Sequence, residues 1–339
     1  MKNNILLVLL SLFFSFGLMA DDSTDDSTKE EAKDESKEES KKDDRELISE
    51  FVEEFITYEG LLKSYQDPEN GNTYLELSDE DISKEFIYFA HIINGTVEAG
   101  LFKGSHIDQA VIKFEKQFNS LNLVRVNTEY YFDPDSELSR QSQSNISDSV
   151  IENFEITHKN ENENTYLIDI TKLLKSDNLT KLKSEPRDYE SDSFGVGSLS
   201  RSKTAISKIY NYPNNTDFEV DYVFSNPASY ESLRNTSVKL RYTFLEMPQD
   251  NGFEIRFEDP RIGYFTDRVT DLSSTEITPY RDLVQKWNLQ KQNPDAAKSK
   301  PIKPIKFWLE NTTPNELRPL IKNAVLAWNI AFEKAGFID

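Results

Sequence analysis

The chain has 339 residues, with 60 Asp and Glu, 39 Lys and Arg, and no cysteine. The formal charge of −21 argues against nucleic acid or an anionic membrane as a partner, because both require a basic surface. Without cysteine, the chain has no disulfide, no cysteine metal ligand and no cysteine-based latency switch.

Residues 1–20 have the pattern of a secretory signal peptide. Lys2 precedes an apolar run from Ile5 to Leu18, and the segment ends on the small residue Ala20. The apolar run is too short for a stable membrane anchor. We therefore expect an exported protein, located in the periplasm or outside the cell.

Residues 21–45 form an acidic segment of low complexity. One alanine is its only apolar residue, so the segment cannot bury enough surface to offset the entropy of ordering. It is predicted to be a disordered, solvated spacer.

Residues 46–100 are predicted to contain a helix followed by a β-hairpin. Apolar residues at helical spacing predict the helix over Glu46–Glu59. An Asn-Gly pair that begins at Asn70 is a strong turn signal between strands predicted at Leu61–Tyr65 and Thr73–Leu77.

Residues 101–270 are predicted to form a β-rich domain of mainly antiparallel sheet, arranged as a sandwich or an open barrel. Alternating apolar and polar residues, with short turns between them, indicate the strands. Their aromatic residues are expected to form the core. The predicted strands, including one just before this region, are Glu85–Ile93, Ala110–Lys116, Asn122–Asn127, Phe154–His158, Thr165–Ile170, Asp217–Phe224, Ser237–Leu245 and Phe253–Phe257.

One stretch within this region, Lys175–Lys208, is polar and only weakly periodic. A mobile surface loop is predicted there. Its Gly195–Ser198 sequence lacks the serine spacing of a hydrolase nucleophile elbow, so it carries no catalytic signal.

The sequence DPRIGYF predicts a turn after the last of these strands. Pro260 fixes φ, and Arg261 is expected to pair with a nearby carboxylate. Gly263 is expected to supply an unusual backbone angle. Tyr264 and Phe265 are expected to anchor the turn in the core.

A second interpretation gives this turn a function. It would lie against a following domain and help that domain to fold or hold it latent, with Asp259 as a candidate carboxylate ligand to zinc. The residues assigned to this inter-domain turn are Asp259, Arg261, Gly263 and Tyr264.

Residues 271–303 are predicted to be a linker, because they are polar and contain Pro279 and Pro294. Within them, Tyr280–Gln290 is expected to form a short strand or helix.

Residues 304–339 are predicted to begin a further domain. Pro304–Glu310 alternates apolar and polar side chains, which is typical of a half-buried strand. A helix follows, and Ile321, Trp328 and Phe332 belong to its apolar face.

The ends of this helix carry sequence signals. Thr313 is a candidate N-cap, although Pro319 either tightens the first turn or moves the true start to itself. Gly336 is a stop signal. We expect the strand and helix to open a truncated domain; the alternative is a βα unit that docks back onto the preceding domain.

The segment from Pro301 to Asp339 resembles the opening strand and first long helix of a metzincin-type zinc metalloprotease catalytic domain. More narrowly, residues 47–339 resemble a family of large secreted bacterial zinc-dependent metalloproteases. In that family a large β-rich domain of unknown function precedes the catalytic domain. The stretches that carry the resemblance, in the same order, are GLLKSYQDPENGNTYLEL, EFIYFAHI, VIKFEK, LNLVRVNTEYYF, EDPRIGYFTDR and YRDLVQKWNLQKQNP.

The resemblance implies that the intact protein hydrolyses peptide bonds with a zinc-bound water. The family's H-E-x-x-H helix supplies two zinc ligands and a general base. The only histidines here are His91, His106 and His158, and none belongs to such a motif. No catalytic residue or metal ligand can therefore be assigned in this chain, and we expect it to bind no zinc by itself.

Two functions remain open. In the first, the chain is the pre-catalytic part of an exported zinc metalloprotease, and its partners are its own missing C-terminal catalytic domain and a protein or peptide substrate. In the second, it is a complete, non-catalytic periplasmic β-rich module for binding or scaffolding.

Overall fold

A computed structural model describes residues 47–133, 135–141, 146–160, 164–182, 195–227, 234–249 and 251–338. The predicted signal peptide and acidic spacer lie outside these residues. Contacts divide the chain after Asp44, and all described residues belong to the unit Arg45–Asp339.

The described chain is mainly strand, with a few short helices. The strands are β1 (Ile56–Tyr58), β2 (Ser64–Gln66), β3 (Thr73–Ser78), β4 (Glu85–Asn94), β5 (His106–Gln117), β6 (Ser120–Arg125), β7 (Tyr130–Tyr131), β8 (Ser149–Asn160), β9 (Thr165–Asp169), β10 (Ser198–Leu199), β11 (Ala205–Tyr212), β12 (Asn215–Ser225), β13 (Asn235–Glu246), β14 (Thr266–Asp271) and β15 (Tyr280–Val284). The helices are α1 (Ile48–Phe51), α2 (Thr171–Leu174), α3 (Arg318–Leu326) and α4 (Asn329–Lys334), with 3₁₀ turns at Val97–Ala99 and Glu137–Gln141.

Most strands join one antiparallel sheet in the order β1-β2-β3-β9-β8-β6-β5-β4-β13-β12-β10, with β11 also paired to β12. The long strand β8 pairs with β6 through its first half and with β9 through its second, and a bulge lies between Ile156 and His158. The mainly antiparallel β-rich fold predicted from the sequence is confirmed, and the sheet is open.

The two ends of this open sheet approach each other without forming a ladder. The Leu61 N–H donates to the Tyr212 carbonyl over 2.8 Å. The Asn211 side-chain amide donates to the carbonyls of Tyr58, at 2.9 Å, and Leu62, at 2.7 Å. A side chain at Gly60 would collide with Asn211, since its Cβ would lie 2.2 Å from the amide oxygen.

The core lies on the inner face of this sheet, where alternate residues of the long central strands are buried. On β4, for example, Phe86, Tyr88, Ala90 and Ile92 are buried while their neighbours are partly or fully exposed. The same alternation occurs over Val220–Phe224 of β12 and Thr236–Tyr242 of β13. Each large side chain buried in this way contributes about 1.5–3 kcal/mol.

Residues 171–182 pack against the inner face of the sheet. The surface loop predicted to begin at Lys175 is therefore wrong over residues 175–182. Leu174, Leu179 and Leu182 are buried in the main core. Isolated leucines in a polar stretch give little periodicity, so the sequence pattern hides their burial. Later in the same stretch β10 and the start of β11 form, and residues 183–194 lie outside the described part of the chain.

Tyrosine hydroxyls hold this internal segment from the opposite strands. Tyr222 donates toward the carbonyls of Leu174, at 2.5 Å, and Ser176, at 3.0 Å. Its oxygen lies 2.6 Å from the Tyr242 hydroxyl. Tyr88 bonds to the Thr180 hydroxyl on the same segment. The carbonyls of Leu174 and Ser176 thus accept hydrogen bonds from a side chain instead of from a neighbouring strand.

The helix predicted over Glu46–Glu59 is wrong, because only α1 and then strand β1 form. Ile56–Tyr58 pairs with β2 instead of continuing the helix, as its β-branched and aromatic residues favour. The Phe51 ring still packs against the domain, stacked on the His158 ring with 4.0 Å between ring centroids. The hairpin at Asn70 is confirmed, with Gly71 at a φ of +74°.

A smaller sheet carries β14 between β15, antiparallel, and β7, parallel. At the end of β14 the buried Asp271 carboxylate accepts hydrogen bonds from Ser273 and, over 2.5 Å, from the Arg281 guanidinium. Burial alone would raise the pKa of Asp271, but these hydrogen bonds outweigh it and leave the pKa below its usual value.

Two predicted strands do not form. Within the described residues, Phe253–Phe257 makes only a single bridge, from Phe257 to Leu283. Pro304–Glu310 joins no ladder in the described structure. The predicted strand-or-helix at Tyr280–Gln290 is resolved as β15 over its first half.

Candidate interdomain surface

The two C-terminal helices carry an apolar face that the other described residues leave uncovered. None of the residues of α3 or α4 is buried. Trp328, between the two helices, is 68% exposed, while Ile321 and Phe332 are half-buried. These are the three residues predicted to face a core, and the described residues do not bury them.

The helix ends follow the predicted signals in part. α3 begins at Arg318, not after Thr313, because Pro319 is tolerated only in a first turn. Gly336, at a φ of +93°, ends α4. The Gly336 N–H donates to the Glu333 carbonyl, and the Phe337 N–H donates to the Phe332 carbonyl. These two hydrogen bonds are typical of a Schellman motif at a helix C-terminus.

The exposed face borders an apolar groove of about 430 Å³. One side of the groove is formed by the helices and the last residues, and the other side by two segments without regular secondary structure, 287–289 and 301–307. Its lining residues are Trp287, Leu289, Pro301, Pro304, Ile305, Phe307, Val325, Leu326, Trp328, Asn329, Phe332, Glu333, Phe337 and Ile338.

Backbone pairing fixes the walls of the groove relative to each other. The Ser299 N–H donates to the Gly336 carbonyl, and the Ile338 N–H donates back to Ser299, at 3.0 and 3.1 Å. The Ile302 N–H donates to Gln290 over 2.8 Å, which closes the loop between them. The groove is thus a built feature of the predicted linker and terminal region together.

The segment 304–310 forms part of the wall of the groove that lies opposite the helices. Trp308 is 90% exposed and Phe307 is also exposed. Within the described residues, no backbone hydrogen bond to another segment involves residues 305–309. At its end Glu310 pairs with Lys103 of the loop after β4, and this hydrogen-bonded lysine lowers the pKa of Glu310 to about 2.

The turn at Asp259 forms, and its geometry is self-contained. The Ile262 N–H donates to the Asp259 carbonyl over 2.9 Å. Arg261 donates to both carboxylate oxygens of Asp259, from its backbone and Nε to one and from its terminal nitrogen to the other. The predicted arginine–carboxylate pair is therefore present, and the hydrogen bonds from Arg261 lower the pKa of Asp259.

Two details of the predicted turn are wrong. Gly263 does not adopt a positive φ, and Phe265 is 85% exposed instead of anchored in the core. Tyr264 is half-buried, with the Arg256 guanidinium 5.6 Å above its ring. The Asp259 carboxylate is thus paired within its own turn, and its role as a zinc ligand stays a prediction.

The described residues contain no group of three or more His, Cys, Asp or Glu side chains that could hold a metal ion. His91 lies opposite His106 on β4 and β5, and His158 lies on β8. What the C-terminal region offers is apolar surface, and its chemistry suits docking of another apolar surface.

Sequence reasoning found the helix face but missed the opposite wall of the groove. Trp287 and Leu289 were included in the short strand or helix expected at Tyr280–Gln290, within a region interpreted as a polar linker, and no apolar surface was assigned to them.

None of the helices in the described part of the chain is long and apolar enough to cross a bilayer. Searches of curated proteins and of solved structures return no match. A family model described as a domain of unknown function, DUF5117, matches residues 104–292, which is more than half of the chain. The match includes β5 to β15, the turn at Asp259, and Trp287 and Leu289 of the groove. The chain therefore belongs to the DUF5117 family.

Proposed function

We propose that this chain is the pre-catalytic part of an exported zinc-dependent metalloprotease, and that its C-terminal groove docks the catalytic domain. The observation that carries the proposal is the uncovered apolar face of α3 and α4 beside the groove. Exposed apolar patches of this kind mark interaction sites in folded proteins.

The groove supplies apolar surface that favours docking. Trp328, Phe307 and Leu326 are exposed around it, and each large apolar side chain contributes about 1.5–3 kcal/mol when it is fully buried. Trp and Phe are also typical anchors of protein interfaces.

The segment 304–310 supports a folded domain as the occupant. Its alternating side chains and its backbone, unpaired in the described structure, suit a strand that a neighbouring strand completes. A sheet added there would cover the helix face at the same time. The metalloprotease identity of that domain comes from the sequence resemblance of residues 301–339.

Zinc in the proposed enzyme would activate a water for attack on the peptide bond. The described residues do not fit a zinc site, and the sequence has no H-E-x-x-H. The contribution of this chain would be export, folding and positioning of the domain that holds the metal.

The complete reading frame that contains this chain tests the proposal. We expect it to encode an H-E-x-x-H motif downstream of codon 339, and its product to contain zinc and to cleave a denatured protein. Trp328→Glu should reduce that activity or the yield of folded enzyme. The matched control is Phe118→Glu at the tip of the β5–β6 hairpin, which should have no effect.

A stop codon directly after codon 339, or a product without zinc, would instead favour a non-catalytic binding or scaffolding module. The size of the groove supports this second candidate, because ligand pockets span about 300–1,000 Å³. It predicts that a small apolar ligand binds the 339-residue chain and that Trp328→Glu abolishes the binding.

A further inference from the structure

A second apolar surface lies close to the groove. Phe253, Ile255 and Phe257 alternate with Glu254 and Arg256 in a segment without regular secondary structure apart from the bridge at Phe257. They are 43%, 60% and 48% exposed. We call this set the 253–257 stripe.

The stripe is fixed to the small sheet at one end. The Val284 N–H donates to the Arg256 carbonyl over 2.8 Å, and the Glu258 N–H donates to Asp282 over 2.9 Å. Phe257 also carries the Arg281 guanidinium 5.1 Å from its ring centre. The stripe therefore has a defined place on the β-rich domain and is not a free tail.

At the other end the stripe meets the groove wall. The Asn288 and Gln290 side chains both donate to the Asn251 carbonyl over 2.7 Å. The Lys286 amine lies 4.9 Å from the Phe253 ring. The residues between them, Trp287 and Leu289, line the groove. The segment 286–290, which turns at Asn288 through the Leu289 N–H to Trp287 carbonyl bond, thus separates the stripe from the groove.

The groove alone is too small for the docking of a domain. Its lining comprises 14 residues, whereas a stable interface uses about 20–30 residues and about 800 Å² on each side. A docked domain must therefore cover neighbouring surface, and the neighbouring apolar surface across segment 286–290 is the stripe.

We infer that the domain that docks in the groove also covers the 253–257 stripe, so that it straddles segment 286–290 and contacts the β-rich domain directly. This inference rests on the proposed docking. It assigns the contact to the stripe rather than to the Asp259 carboxylate, which Arg261 already occupies.

Single cysteines test the inference cleanly, because the chain has none of its own. Ile255→Cys reports on the stripe, Phe307→Cys on the groove, and Phe118→Cys on the 93%-exposed tip of the β5–β6 hairpin. The rate of maleimide labelling is measured in the 339-residue chain and in the product of the complete reading frame. If Ile255→Cys alters the thermal melt, Phe253→Cys samples the same stripe.

We expect labelling at positions 255 and 307 to be at least about tenfold slower in the complete product, which corresponds to about 1.4 kcal/mol of protection. The rate at position 118 should not change. Slow labelling at 307 with fast labelling at 255 would overturn the inference and leave the docking proposal intact. Fast labelling at both positions would overturn both. Protection of the stripe that appears in the 339-residue chain and grows with its concentration would assign the surface to a second copy and overturn the inference.

Discussion

Replacing Tyr222 with phenylalanine removes the hydroxyl that holds the internal segment 171–182. Because a hydroxyl has one proton, Tyr222 gives it to a carbonyl, that of Leu174 or Ser176. Tyr242 must then be the donor in the 2.6 Å bond between the two hydroxyls. The chain of donors runs from Tyr242 through Tyr222 to the backbone.

The magnitude follows from what Tyr222→Phe leaves behind. A backbone carbonyl and the Tyr242 hydroxyl both lose their partner in a region where Tyr222 and Tyr242 are almost fully buried. Each orphaned buried group costs about 1–3 kcal/mol, so we expect a loss of about 2–6 kcal/mol in the free energy of unfolding. Tyr242→Phe keeps the bond to the carbonyl and should cost only about 0.5–1.5 kcal/mol.

Guanidinium unfolding of the two variants and the parent, followed by far-UV circular dichroism, measures this difference. A loss of about 3 kcal/mol should also lower Tm by about 6–12 °C in a domain of this size. Equal costs for the two variants, or a larger cost for Tyr242→Phe, would refute the assigned direction of the hydrogen-bond chain. Burial raises the pKa of Tyr222, so the comparison at pH 7 involves neutral phenols only.

Three further predictions concern the core, the small sheet and the groove. Leu179→Ala should cost about 2–5 kcal/mol in chemical unfolding, and a cost near zero would mean that residues 175–182 form a surface loop after all. Asp271→Asn should destabilise the protein at pH 7, because the Arg281 guanidinium then lacks its carboxylate partner. The pKa of Asp271 is lowered in the folded state, so its contribution to stability is present above about pH 4 and is lost as pH falls through the folded pKa. The difference in unfolding free energy between the parent and Asp271→Asn should therefore be smaller at pH 3 than at pH 7. An equal difference at both pH values would contradict the assignment. Trp328→Glu should reduce binding of an apolar dye to the 339-residue chain and change the free energy of unfolding by less than about 0.5 kcal/mol, whereas a large loss of stability would show that Trp328 is packed.

Most long strands of the main sheet could be predicted from the sequence because one face of each is buried, whereas β1, β10 and β11 were not predicted. Alternation along Asp217–Phe224 and Ser237–Leu245 identified β12 and β13 to within two residues at each end. The short helix at Ile48 could not be separated from strand β1 in this way. A helix and a strand are both compatible with the apolar positions of this segment. The strand forms because it pairs with Ser64–Gln66, and the local sequence does not reveal that pairing.

The candidate site shows the opposite limit. An alternating pattern at Pro304–Glu310 predicted a strand that does not form within the described residues. A ladder requires a neighbouring strand, which the local sequence does not encode. The groove itself brings Trp287 together with Phe332 across 45 residues. Such a meeting depends on the hydrogen bonds between Ser299 and the last residues, for which the sequence contains no signal.

The meeting of the sheet's two ends has a consequence for how the polypeptide is made. The Asn211 amide reaches the carbonyls of Tyr58 and Leu62 across about 150 positions of sequence, and contacts of such high order slow folding. Ribosomes deliver the first strands long before Asn211 exists. Until then, the carbonyls of Tyr58 and Leu62 lack the Asn211 amide as a hydrogen-bond partner, and the N-terminal hairpin is not yet tied to the other end of the sheet.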